Sequence, residues 1–240
     1  MSIHLVGGGR DDEYDGEVYV AFIAEAAARA SVAGRTTPVI GVLLVGEGED
    51  AAEYAEAYRS QLVRAGDCDP RVTTVAQGDL FTTDVLTGID GLVVGGGHTP
   101  SYLDAVTPII DELRLLVTDS LPYLGFSAGA MIAADTALIG GWRIDGVPVL
   151  DEDFSEELDE VTVTLGLGLV DLAVDVHAAQ WGTLTRLIAA TEAGLVEGGV
   201  AIDEYTALIV GDDEFSVVGR GSVWQVVAHE DGVLVSSLGA

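Results

Sequence analysis

The sequence predicts an α/β fold, a parallel sheet sandwiched by helices, with extra β-hairpins in the C-terminal third. Three observations carry this. Short apolar runs alternate with helical patterns through the first 140 residues, as successive β-α-β crossovers require. One run, Val39–Val45, is apolar everywhere except Gly41, as a strand covered on both faces must be. Glycine-rich turns follow three of the runs, at Gly7-Gly8-Gly9, Gly95-Gly96-Gly97 and Gly125-Phe126-Ser127-Ala128-Gly129. Ligands of open α/β sheets bind at such strand ends.

The elements follow in order. Ile3–Val6 reads as a strand, with His4 inside it in a structural role. Glu17–Ala33 is an alanine-rich helix, Val39–Val45 the doubly covered strand, and Asp50–Ala65 a second helix. Val72–Ala76 and Gly91–Val94 are further strands. Thr99–Val117 is a helix with Pro100 in its first turn, where the missing N–H is no loss, and Pro108 predicts a kink or a break. Leu121–Leu124 is a strand leading into the third glycine-rich turn. After residue 140 the pattern changes. Asp145-Gly146 predicts a hairpin turn, and Asp151–Glu160 an acidic, solvated loop. From Val200 the chain reads mostly as β, with turns at Gly211-Asp212-Asp213 and Asp231-Gly232. No linker composition divides the chain, so residues 1–240 read as one domain.

Composition narrows the partners. Forty Asp and Glu face ten basic residues, for a formal net charge of −30, which repels nucleic acid and anionic membrane surfaces. No apolar run approaches the roughly 18 residues needed to span a bilayer, and no basic, apolar leader opens the sequence, so the expectation is a cytoplasmic protein. Cys68 is the single cysteine and has no partner for an internal disulfide. All ten basic residues are arginine. A GC-rich genome explains Arg in place of Lys but not the excess of acid. Adaptation to concentrated salt explains both, because counterions screen self-repulsion.

The segment LPYLGFSAGAMIAAD, residues 121–135, has the form of a nucleophile elbow. A strand turns sharply into a helix, Ser127 stands at the turn, and Gly125 and Gly129 leave room for neighbouring backbone. Ala128 at the helix start offers an N–H to a developing oxyanion, as does Gly96 or Gly97 in the bare glycine loop. Gly7-x-Gly9 does not open a dinucleotide site, because the third glycine of that fingerprint is replaced by Asp12. A serine nucleophile needs a base. His98 follows the glycine loop and His229 sits at a hairpin end, whereas His177 lies between an apolar run and a helix, the favoured position for a base.

GFSAGAMIA, DVHAAQWGTLTRL and GVAIDEYTALIV, in that order, resemble the three motif blocks of the cyanophycinase and dipeptidase E family of serine peptidases. Val94-Gly95-Gly96-Gly97 resembles the family's glycine loop and Leu5-Val6-Gly7-Gly8-Gly9 its usual start. The likeness runs from residue 3 to about residue 224. It implies a class I glutamine amidotransferase-like sandwich, no metal or other cofactor, a small peptide or amide substrate and a homodimer. Carried over by position, Ser127 is the nucleophile, His177 the base and Glu204 the orienting acid, with Asp203 and Asp175 as local competitors for the last role. His98, Thr99, Trp181, Thr183 and Arg186 fall at substrate-binding positions. The family's helix after the histidine carries several arginines, which in cyanophycinases bind a β-aspartyl unit. Here Trp181 and Thr183 replace two of them and Arg186 remains, so recognition of an acidic P1 residue is weakened. Two alternatives stay open. One is an α/β-hydrolase-type esterase using Ser127, Asp203 or Asp212, and His229, and the other is a non-catalytic binding protein on the same fold.

The charge count makes a direct prediction. At molar salt the Debye length is about 3 Å, so repulsion among the carboxylates is largely screened. Thermal unfolding followed from low to molar KCl is expected to show a marked rise in midpoint. A flat profile would defeat adaptation to salt and leave codon bias as the account of the arginines.

Overall fold

The computed structural model describes residues 2–9, 16–211 and 215–239. Its first half runs β1 (Ile3–Val6), α1 (Glu17–Val32), β2 (Val39–Val45), α2 (Gly48–Ala65), β3 (Asp69–Val75), β4 (Gly91–Val94), α3 (Thr99–Val106), α4 (Ile110–Thr118), β5 (Tyr123–Phe126) and α5 (Ala128–Ile132). Alternate side chains of a strand point to opposite faces, and β2 uses both. Ile40, Val42 and Leu44 belong to one core with Phe22 of α1 and Leu62 of α2. Val39 and Leu43 belong to a second core with Leu103 of α3 and Leu113 of α4. Helices therefore cover the sheet on both sides. Pro108 acts as expected, and a 3₁₀ turn over Thr107–Ile109 separates α3 from α4. β5 starts two residues later than Leu121. The chain first passes Pro122, which has no N–H for a ladder, and pairing with β1 begins at Tyr123 opposite Ile3.

The second half comprises β6 (Thr136–Gly140), β7 (Arg143–Ile144), β8 (Val147–Pro148), β9 (Thr162–Leu165), β10 (Ala173–Val176), α6 (Ala178–Trp181), α7 (Leu184–Glu192), β11 (Gly198–Ile202), β12 (Thr206–Val210), β13 (Phe215–Gly219), β14 (Ser222–His229) and β15 (Gly232–Gly239). β7 and β8 form the hairpin foreseen at Asp145-Gly146. The main sheet has the order β13-β12-β1-β5-β4-β2-β3. The last five of these strands are parallel, and β12 and β13 add an antiparallel edge. The C-terminal third thus completes the main sheet as well as supplying hairpins. A second sheet, β10-β11-β14-β15, stands apart from it. Of the turn expected at Gly211-Asp212-Asp213, Asp212 and Asp213 lie outside the described residues. No described helix is long and apolar enough to cross a membrane.

The segment Asp151–Glu160 departs from the expectation of a solvated loop. Glu152–Phe154 forms a 3₁₀ turn, Arg143 pairs with Asp159 at 2.9 Å and Glu160 at 3.1 Å, and Glu156 turns inward. Arginine contacts and a buried backbone donor give this acidic stretch a fixed course that its charge alone does not suggest.

Topology places the site. β1 lies beside β5, and β5 beside β4, so the turns after Val6, Val94 and Phe126 emerge together at one end of the main sheet. The end of β10 is brought to the same place when His177 N–H donates to Gly7 O at 2.9 Å.

Candidate active site

Ser127 occupies the turn between β5 and α5 with φ 52° and ψ −111°, a strained conformation for a residue other than glycine. The surrounding backbone holds it there. Ser127 N–H donates to Val6 O at 2.9 Å, and Gly129 N–H donates to Gly95 O at 3.0 Å. The flanking glycines are steric requirements, since a Cβ on Gly129 would overlap Val94 O and one on Gly125 would overlap Gly129 O. Gly96 lies so close that its own Cβ would stand 2.9 Å from that of Ser127.

His177 sits at the start of α6, also at positive φ, 56°. Its Nε2 is 2.9 Å from Ser127 Oγ, and its Nδ1 is 2.7 Å from Glu204 Oε1. An ionised Glu204 only accepts, so Nδ1 carries the ring proton and Nε2 accepts from the serine hydroxyl. Gly8 borders the imidazole closely, and a Cβ there would overlap its Cε1 atom. The Gly7-Gly8-Gly9 turn is thus a wall of the histidine site. Trp181 stacks on the imidazole with ring centroids 3.6 Å apart. Burial pushes the His177 pKa below its ordinary value, while the bond to Glu204 opposes that effect.

The competitors for the acid role have other partners. Asp203 is buried and accepts from Ala179 N–H, Ser222 N–H and Trp224 Nε1–H. It bolts α6 to β14 and leaves Glu204 to face the ring. Glu204 is held in turn where its N–H donates to Gln180 Oε1 at 3.0 Å. Asp175 receives a two-pronged bond from Arg186, at 2.8 and 2.9 Å. His229 is exposed at the β14–β15 hairpin and accepts from Asp231 N–H. Ser127 is bonded to His177 and Asp203 is occupied elsewhere, so the described residues do not assemble the esterase arrangement. Asp212, its other acid, lies outside them.

A cavity of about 460 Å³ opens beside Ser127, His177 and Glu204, walled by Trp181, Phe126 and Tyr54. Hollows of about 550 and 770 Å³ lie elsewhere, but neither touches Ser127 or His177, and volume alone does not make a reactive site. Gly96 and Gly97 both line the smaller cavity. Of the three expected oxyanion donors, Gly96 N–H is already engaged, donating to Tyr58 hydroxyl at 3.2 Å. Ala128 opens α5, so its N–H has no acceptor within the helix.

Four residues expected to bind substrate are placed differently. Arg186 is 2% exposed, and besides Asp175 it donates to Gly141 O and Phe154 O, so its guanidinium braces the interior. Thr183 is buried and donates to Val176 O at 2.5 Å. Thr99 is buried, and its N–H donates to Glu156 at 2.9 Å. His98 bonds Ser101 Oγ and Glu156 O. Burial raises the Glu156 pKa, opposed by the Thr99 bond and by Arg186. Of the five expected positions only Trp181 lines the cavity. Tyr58, Phe154, Glu156 and Gly8 were not singled out by sequence. Their roles come from contacts across 27 to 169 positions, and only Gly8 left a local sign, in its glycine triplet.

The profile of peptidase family S51 matches residues 45–218, a span that contains Ser127, His177 and Glu204. The chain belongs to peptidase family S51. Cyanophycinases of Synechococcus elongatus and of Thermosynechococcus vestitus are each 33% identical to it over 138 residues. That stretch covers 55% of this S51 chain but 40% of either relative. A peptidase from an acI-B1 Actinobacterium shares the fold with a TM-score of 0.66 at 19% identity, over 99% of this chain and 96% of that one. A putative peptidase E protein from Listeria monocytogenes EGD-e gives 0.57 at 16% identity, over 92% and 98%. These structures share the fold of the main sheet and its helices.

The depressed pKa of His177 sets a pH dependence for this S51 chain. Between the folded value and the ordinary 6.5 the unfolded chain holds a proton that the folded chain does not. The neutral ring's contribution is therefore complete above pH 6.5 and is lost as pH falls toward the folded value. The His177 imidazole followed by NMR is expected to titrate below 6.5. Urea stability of the protein relative to His177→Gln is expected to decline through the same window. A midpoint above 6.5 would show that Glu204 outweighs burial.

Proposed function

We propose that this protein is a serine peptidase or amidohydrolase that cleaves a peptide or amide bond through an acyl-enzyme, with Ser127, His177 and Glu204 as its triad. The observation that carries the reading is the continuous bond from Ser127 Oγ through both His177 nitrogens to Glu204, at 2.9 and 2.7 Å, beside an open cavity. Ser127 Oγ attacks the carbonyl carbon while His177 Nε2 takes its proton. Glu204 holds the Nδ1 proton and stabilises the imidazolium. The oxygen that gains charge is received by the N–H groups of Gly97 and Ala128. The tetrahedral intermediate collapses as His177 protonates the leaving amine, and water then repeats the sequence to release the acid. Membership of family S51 and the 33% identity to two cyanophycinases support the same reading.

A fluorophosphonate probe tests it. The protein is expected to be labelled at Ser127, and Ser127→Ala to lose both label and turnover while keeping its unfolding midpoint. His177→Ala is expected to lower turnover by about three orders of magnitude or more, because the members of a triad act as a unit. An unlabelled native protein would leave the binding-protein reading in place.

Substrate choice follows from the lining. Among the described residues the cavity presents Glu47, Asp50 and Glu204 and no arginine. Arg186 is committed to Asp175. An acidic P1 side chain would lack a charge-assisted partner, each such bond being worth about 1.5–3 kcal/mol. With dipeptides that differ only at P1, kcat/KM for aspartyl substrates is expected to be at least about tenfold below that for small neutral ones. A strong aspartyl preference would overturn this view of the pocket.

A further inference from the structure

His177 and Trp181 stand four residues apart on α6, one helical turn, and Trp181 N–H donates to His177 O at 2.8 Å. Their rings are nearly parallel, 10° between planes and 3.6 Å between centroids. Behind the indole, Phe154 stacks in the same sense at 5.0 Å and 13°. Arg186, fixed by Asp175, donates to Phe154 O and holds this backing ring. The bare backbone of Gly8 lies at the Cε1 atom of the imidazole, where a Cβ would overlap the ring. The hydrogen bonds to Ser127 and Glu204 constrain the imidazole within its plane, and the indole of Trp181 lying on its face constrains its tilt.

The stack also discriminates between charge states. An aromatic face attracts a cation through its quadrupole and a neutral ring far less. On the triad reading His177 is neutral at rest and becomes a cation as Ser127 Oγ bonds the carbonyl carbon and its proton passes to Nε2. An attraction that appears only then lowers the barrier instead of merely tightening substrate binding. Burial and Arg186 on α7 oppose the cation, while Glu204 after β11 and Asp175 on β10 favour it. Trp181 adds an uncharged contribution from α6.

We propose that Trp181 is a positioning residue for His177, whose indole face, backed by Phe154, fixes the tilt of the imidazole and favours the imidazolium formed during attack. The proposal rests on the triad reading for its catalytic consequence. Its physical core, a π face that stabilises a charged His177, does not need turnover to be seen.

The test compares Trp181→Phe with Trp181→Leu in the full chain. Both keep apolar bulk over the imidazole, and only phenylalanine keeps a π face. Trp181→Leu is expected to lower kcat about tenfold with KM within about threefold, and to move the NMR titration of His177 and the acid limb of kcat/KM to lower pH. Trp181→Phe is expected to stay within about threefold of the native protein in kcat. His177→Gln assigns the resonance, and Trp181→Met replaces the leucine variant if that one does not fold. Equal kcat and equal His177 midpoints in the two variants, or an effect confined to KM, would overturn the proposal and leave Trp181 as a cavity wall. If the native protein takes no fluorophosphonate label, the triad reading fails separately and the midpoints decide. A lower midpoint in leucine than in phenylalanine supports the stack, and equal midpoints overturn it.

Discussion

A serine can stand clear at the end of a buried strand only where the backbone around it is bare. At Ser127 the ends of β1, β4 and β5 come within hydrogen-bond distance of one another through Val6 O, Gly95 O and the elbow. Any Cβ at Gly125 or Gly129 would occupy space already filled by carbonyl groups. Three strand ends are thereby locked together, and the lock holds Ser127 in a backbone conformation that costs of order 1–3 kcal/mol. The Gly95-Gly96-Gly97 loop, the start of α5 and the imidazole of His177 all take their positions from this junction. His177 N–H bonds Gly7 O, so the histidine too is referenced to the end of β1.

A second constraint is the treatment of charge inside an acidic chain. Asp175, Asp203 and Glu204 are neighbours in space, yet each has a distinct set of donors. Asp175 faces a buried guanidinium, Asp203 accepts two backbone N–H groups and an indole, and Glu204 takes the imidazole. A buried charge stripped of its partner costs about 3–5 kcal/mol, so these pairings are not interchangeable. This is why Arg186 is a brace and not a substrate clamp. Its guanidinium sits beside Asp175 and two carbonyls, deep under the segment that carries Phe154.

That segment, Asp151–Glu160, connects surface charge to the surroundings of Ser127 and His177. Glu156 accepts the N–H of Thr99 just beyond the glycine loop, and Phe154 completes the stack over His177. The cavity beside Ser127 is bounded by aromatic rings, bare glycine backbone and carboxylates.

Much of this was legible in residue order. Apolar runs alternating with helical patterns, a doubly covered run at Val39–Val45, Pro108 inside a helical pattern and glycines at strand ends are local signals, and they specified the parallel layers, the break at Pro108 and the elbow at Ser127. Position between an apolar run and a helix favoured His177 among the four histidines, whereas Glu204 was readable only through resemblance, because forty carboxylates make an acid near any histidine unremarkable. Tertiary structure alone decided the rest. It placed β12 and β13 on the main sheet, engaged Gly96 N–H with Tyr58, buried Arg186 and Thr183, and folded an acidic segment against Thr99 and Trp181. The physical reason is common to all of these. Where a charged or polar group ends up depends on which partner can replace the water it loses, and that partner lies far away in sequence.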